Sequence, residues 1–203
     1  ASLSIWIILG SLYDINKRMK LFSGMSLLTT RRLVRLPRSD IGKSIAHIGF
    51  GLMIFGISAV SAWEVEDIRV VGLNEPYTVQ NYTIELTEVS EKAVLNYVTR
   101  KGFIQVKKDE TVLATLFPEK RYYPVEGMAT TEAAIDSNIF RDIYVVLGDS
   151  QSNNNWVLRT YIKPFVVWIW IGAFVIAFGG VLSLTDRRYR FASLKINKTT
   201  HSQ

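Results

Sequence analysis

The sequence predicts a membrane protein whose α-helical transmembrane spans frame an inserted, mainly β domain, a small antiparallel barrel or sandwich. Three observations carry that reading. Residues 44–63 and 164–185 are apolar runs without Asp, Glu, Lys or Arg, each near the roughly 20 residues that a helix needs to cross hydrocarbon, where no water satisfies a bare backbone. The residues between them repeat short segments of alternating polarity, the period of a strand with one face buried. Finally, the basic excess flanks the apolar runs: residues 14–43 carry eight Lys or Arg against two acids and residues 186–203 five against one, while 64–163 carry eleven against fifteen.

The net charge of +6 and the pI near 9.5 are therefore no footprint for nucleic acid, which requires the charge to be gathered on one soluble face. A mean hydropathy of +0.15 over 203 residues agrees with a membrane protein carrying one modest water-exposed domain. Absence of cysteine excludes disulfides, thiol exchange and cysteine nucleophiles from these residues.

Taken in order, residues 1–20 read as a truncated transmembrane helix: the uncharged part, 1–13, covers only about 20 Å at 1.5 Å per residue, too little to cross unless 14–20 continue the helix. The expectation is a larger protein cut inside a helix; the alternative is an amphipathic helix lying on the bilayer surface. Residues 21–43 form a basic cytoplasmic or interfacial segment, in which Arg31, Arg32, Arg35 and Arg38 alternate with Leu, Phe and Met and meet lipid phosphates. Pro37 breaks any helix there, and Ser39 or Asp40 is placed to cap the next one.

Residues 44–63 are the first complete span. At 100° per residue Gly42, Gly49 and Gly56 fall on nearly one line, a stripe that lets a second helix approach closely. His47 lies on roughly the opposite side, with Ser44, Gly51, Ile54 and Ser58 near it, and these small residues leave room for a flat ligand. An ionisable residue in a span faces protein, a cavity or a cofactor, so His47 is either a ligand to a bound group or a hydrogen-bonding partner of another helix. Trp63 ends the run at the outer interface.

Residues 64–163 are the water-exposed β-rich domain, placed outside by the positive-inside rule. Tyr82, Ile84 and Leu86, and Val112, Ala114 and Leu116, show the strand period. Turns are marked at 74–76, 107–110 and 148–155, with 143–147 and 156–161 pairing across the last, and a short helix is expected within 130–140. The returning span is 164–185, with Trp168 and Trp170 at its outer end and Arg187, Arg188 and Arg190 at its inner end. A polar cytoplasmic tail, 186–203, carries His201.

Gly-rich phosphate loops, HExxH, paired-histidine metal spacings and the G-x-S-x-G elbow are all missing from the sequence. No catalytic residue is therefore assigned. The triplets at Asn81 and Asn197 are short and frequent, and Glu119, Glu126, Glu132, Asp136 and Asp142 read as solvated or salt-bridged carboxylates. Lys120, Arg121 and Arg141 are candidate contacts for acidic groups of a ligand or partner, beside the plainer reading of each as a solvated charge.

One ordered series goes beyond composition. Residues 117–124 read FPEKRYYP, 131–136 TEAAID, 141–148 RDIYVVLG and 163–170 KPFVVWIW, leading to DRRYR at 186–190. Over about 36–190 this series resembles the C-terminal part of CcmF-type haem lyases of cytochrome c maturation. The resemblance implies a multi-pass protein of the bacterial inner membrane, with a periplasmic domain. Such a protein takes haem from the chaperone holo-CcmE and, with CcmH and CcmI, attaches it to apocytochrome c. It further implies a haem b held between two transmembrane histidines, of which His47, in Ala46-His47-Ile48-Gly49, matches one as an axial ligand to the haem iron. The family's tryptophan-rich haem-handling segment, its two periplasmic histidines and its second transmembrane histidine have no counterpart here, so lyase activity is implied for the full-length protein and its complex. The competing class is a non-catalytic, membrane-anchored scaffold subunit that binds maturation partners.

Overall fold

The computed structural model describes residues 2–19, 37–151 and 154–186. The expectations for the basic segment 20–36 and for the tail, with His201, lie outside these residues. The described residues form two compact units, divided between Ala59 and Val60 and again between Val166 and Val167.

The first unit is helical: α1 (Ser2–Met19), most of α2 (Arg38–Trp63) and most of α3 (Val166–Leu184). By length and composition, α2 and α3 can cross a membrane. Helix α1 carries on past the uncharged run through Asp14 and Lys17. Helix α2 starts earlier than its apolar stretch, so Arg38, Asp40 and Lys43 are helical. Its cap is not Ser39 or Asp40. Pro37 supplies the first carbonyl, to the amides of Asp40 and Ile41 at 3.1 and 3.3 Å, and the Ser39 amide donates to Asp186 Oδ2 at 3.0 Å. A buried carboxylate from the far end of α3 thus does what a local Ser or Asp side chain ordinarily does for orphan amides.

The glycine stripe meets a second one. A Cβ on Gly49 would lie 2.7 Å from the Gly172 carbonyl oxygen, and one on Gly172 would lie 2.6 Å from the Gly49 oxygen. Gly42 and Gly179 repeat the arrangement, with a Cβ on Gly179 falling 2.6 Å from the Gly42 oxygen, so the two heptad-spaced pairs run antiparallel and hold the backbones of α2 and α3 together. On another face of α2, Gly51 receives Ile8 of α1, whose Cγ1 would be 2.5 Å from an added Cβ, and the buried Ser4 hydroxyl donates to the Gly51 carbonyl at 2.8 Å. The space expected beside Gly51 for a flat ligand is therefore filled by a protein side chain.

The second unit is an antiparallel sandwich. One sheet has the order β1 (Val65–Val71), β10 (Trp156–Pro164), β9 (Arg141–Ser150), β8 (Ala134–Ser137). The other runs β2 (Tyr77–Val79), β3 (Tyr82–Ala93), β4 (Val98–Lys108), β6 (Glu119–Tyr123), β7 (Met128–Glu132), with β5 (Thr111–Leu116) also on β4. Strand alternation sends Ile84, Leu86, Ile104 and Val106 from one sheet and Ile143, Val145, Leu147 and Leu158 from the other into one core, all fully buried. Tyr77 and Thr160 join the sheets through a buried hydroxyl pair at 2.8 Å.

Three expectations from the sequence meet this fold directly. The turn at 107–110 forms with Asp109 and Glu110 both left-handed, at φ 48° and 64°, the geometry a two-residue hairpin needs. Strands β9 and β10 pair across 148–155. The helix expected within 130–140 is absent: these residues form β7, β8 and the turn after them, because each strand closes a free sheet edge and that pairing overrides the helical preference of Glu132-Ala133-Ala134.

Candidate functional site

His47 projects from the third turn of α2, exposed, with its Nδ1 2.8 Å from the carbonyl oxygen of Lys43 one turn earlier. A carbonyl only accepts, so Nδ1 carries the proton and donates, and in the neutral ring the lone pair is on Nε2. The ring is thus oriented by its own helix, and that hydrogen bond is not the interhelical one considered above. A groove of about 320 Å³ lies at this point, lined by His47, Ser44 and Lys43 from α2 and by Trp6, Gly10 and Ser11 from α1. A methyl group added at Gly10 would meet nothing within 4 Å, so the wall opposite His47 is open. Asp14 also lines the groove.

The groove offers one oriented imidazole among the small and apolar side chains of Trp6, Gly10, Ser11 and Ser44, with Lys43 and Asp14 also in its lining, and among the described residues no cluster of three or more His, Asp or Glu is placed to hold a metal ion. The α1 wall was not readable from the sequence, because the α1–α2 contact joins distant residues, Ser4 and Gly51 lying 47 positions apart, with Ile8 also packed on Gly51.

The three basic candidates of the β unit are all engaged. Arg141 is 9% exposed; its Nη1 donates to the carboxylate and the carbonyl of Asp136, its Nε to Tyr82 Oη at 3.2 Å, and its guanidinium lies over the Tyr82 ring. Burial acts to lower its pKa, but Asp136 and Tyr82 outweigh it and hold the charge more firmly than usual. Arg141 is consequently neither a solvated charge nor a free anion receptor: it ties β8 and β9 to β3. Lys120 pairs with Asp149, and Arg121 bridges Glu119 and Glu132 while lying over the Tyr97 ring. Of the carboxylates, Glu126 is exposed, but Asp142 is 4% exposed with its Oδ1 lacking a hydrogen-bond partner among the described residues, contrary to the solvated reading.

Comparison with known proteins adds a family to this geometry. Residues 62–164 match the family model described as the CcmF C-terminal beta-sandwich. The chain is 45% identical over 193 residues to the cytochrome c-type biogenesis protein ccl1 of Rhodobacter capsulatus, covering 95% of this chain and 28% of that one. It is 42% identical over 158 residues to the cytochrome c-type biogenesis protein CcmF of Haemophilus influenzae, covering 77% and 24%. The chain thus spans about a quarter of the length of these curated relatives. A solved structure of the cytochrome c heme lyase CcmF superposes with a TM-score of 0.60 at 16% identity, over 73% of this chain and 25% of that one, which is a likeness of fold.

Proposed function

We propose, from the premise that this chain belongs to the CcmF family as its C-terminal part, that it serves cytochrome c biogenesis by holding one side of a membrane haem and by displaying a positioning domain outside the bilayer. Helices α2 and α3 cross the bacterial inner membrane, the β unit faces the periplasm, and the basic segments 17–43 and 187–203 face the cytoplasm, in keeping with the positive-inside rule. The full-length protein attaches haem, its substrate, covalently to apocytochrome c, receiving it from CcmE and acting with CcmH and CcmI.

His47 would hold a resident haem b through its imidazole. The observation that carries this reading is the Nδ1 hydrogen bond to Lys43 O, which fixes the ring and leaves Nε2 as the ligating atom. Lys43, one turn below, supplies positive charge to the groove, and Ser44 and Gly10 keep its walls low. When bound, haem b supplies a one-electron redox centre. The β unit has neither Cys nor His, and its basic candidates are engaged in ion pairs, so it recognises and positions partners without supplying a nucleophile.

Replacing His47 by Ala in the full-length protein is expected to abolish or shift the reduced haem absorption bands and to lower the yield of cytochrome c, with added imidazole partly restoring the bands. Unchanged bands and yield in a stably inserted protein would exclude His47 as a ligand.

A further inference from the structure

The turn between β8 and β9 has an apolar tip. Its four residues are Asn138, Ile139, Phe140 and Arg141, and the tip carries two large hydrophobic side chains where turns ordinarily carry Gly, Asn or Asp. Ile139 and Phe140 are 49% and 66% exposed. The backbone around them is unusually well satisfied. Asn138 Oδ1 accepts from the amides of Phe140 and Arg141, both at 2.9 Å, and the Asn138 amide donates to the Arg141 carbonyl at 2.9 Å. The carbonyl of Phe140 accepts from the Phe165 amide at 2.9 Å. Paired backbone groups are the condition for entering a medium without water, since an unpaired one has nothing there to replace its hydration.

The last of these bonds also locates the tip. Phe165 is the residue immediately before α3, and its ring lies 6.3 Å from that of Trp63, the last residue of α2 and itself 56% exposed. Trp63 and Phe165 are thus in ring contact where α2 ends and α3 is about to begin, and Phe140 is tied to the same point through the backbone of Phe165. Two ion pairs lie close to it, Lys163 with Glu64 at 3.1 Å and Arg141 with Asp136. Leu95 and Val125, at the tips of the β3–β4 and β6–β7 hairpins, are exposed too, but it is the bond to Phe165 that singles out Phe140.

We infer that the β8–β9 turn inserts Ile139 and Phe140 into the headgroup–acyl boundary of a lipid bilayer beside Trp63, giving the sandwich a third seat on the membrane besides its two chain connections. Aromatic residues favour this depth, and an apolar loop gains free energy by the area it buries there. The inference rests on the reading that α2 and α3 span the bilayer, and its test separates the two.

In the full-length protein in phospholipid nanodiscs, an environment-sensitive fluorescent amino acid is placed singly at Phe140, at Ile139, at Val125 and at Ile57 within α2. Each is quenched by iodide from water and by nitroxide on the lipid chains. At Phe140 and Ile139 lipid-borne quenching should be strong and the iodide quenching constant several-fold below that at Val125, with Ile57 quenched from lipid alone. Phe140 and Ile139 behaving like Val125, with Ile57 still lipid-quenched, would overturn the inference and leave the spans standing. Protection of both positions from both quenchers would also overturn it, showing protein over the turn. Iodide access at Ile57 would refute the spanning reading itself, and the inference with it.

Discussion

The helical unit and the strand unit are inside-out relative to each other. In the sandwich the largest aliphatic side chains, Leu86, Leu147 and Leu158 among them, are wholly buried, while the charged side chains, Arg141 and Asp142 apart, lie at the surface, several of them in ion pairs. In the helical unit the buried positions of α2 and α3 are small, namely Gly42, Ser44, Gly49, Gly51, Gly56 and Ala59 on the one and Gly172 and Gly179 on the other. The large side chains there face outward: Trp6 and Phe174 are each 74% exposed and Leu184 is 77% exposed. Expulsion of apolar surface from water organises the first arrangement, whereas close backbone packing without such a driving force organises the second, as it does for helices in lipid.

That contrast can be broken most forcefully in the sandwich core. For the unit Val60–Val166 expressed alone, Leu147→Ala should lower unfolding free energy by about 2–5 kcal/mol in urea denaturation, while Val125→Ala at an exposed tip should stay within about 0.5. Equal effects at the two positions would mean that no single aliphatic core holds the unit. The matching experiment in the helical unit enlarges a residue. Gly172→Leu forces a side chain against Gly49 O and Met53 N, both 2.6 Å from its Cβ, and should cost about 1–3 kcal/mol; Gly180→Leu has nothing within 4 Å and should be tolerated. Thermal unfolding of the full-length protein in detergent distinguishes them, and equal tolerance would show that α2 and α3 are not held by these glycines.

The smallest effect belongs to surface charge. The hydrogen bond from Arg69 holds Asp67 below its ordinary 3.8, and for Glu119 the push upward from burial is outweighed by Arg121 and Lys101, leaving it below 4.5. Both pKa values are depressed on folding, so as pH falls the unfolded chain takes up protons first. Their contribution is complete above those ordinary values and is lost as pH drops through the lower, folded ones. For Val60–Val166 the summed loss should stay below about 1 kcal/mol and shrink in high salt, because the pairs are partly solvated. A fall in stability between pH 8 and 6 would point to other groups.

Much of the β unit was legible along the chain, yet its burial was legible only in part. Tyr82, Ile84 and Leu86 announced β3, and Ile84 and Leu86 are core; Val112, Ala114 and Leu116 announced β5 just as clearly, but Val112 is 54% exposed because β5 pairs only with β4 at the sheet's side. Residues 130–140 misled for the opposite reason, since a helical composition sits where two sheet edges needed strands. For His47, its position on α2 was readable, but not the α1 wall of its groove or the hydrogen bond to Lys43 that orients its ring.

The sequence alone determined what repeats along a backbone: two helices long enough to span, a heptad line of glycines, the period of the strands and the turn at Asp109-Glu110. Each follows from the fixed geometry of a helix or a pleat, so neighbours in sequence suffice to reveal it. Tertiary structure decided the rest: that Gly42 and Gly49 face Gly179 and Gly172, that Asp186 caps α2, that Arg141 is buried against Asp136 and Tyr82, and that Phe140 is tied to Phe165. These join residues from 5 to 147 positions apart, and the farther the separation the less any local pattern constrains it. Which distant surfaces meet is settled by shape, charge and the need to pair every buried polar group, and those act only once the chain has folded.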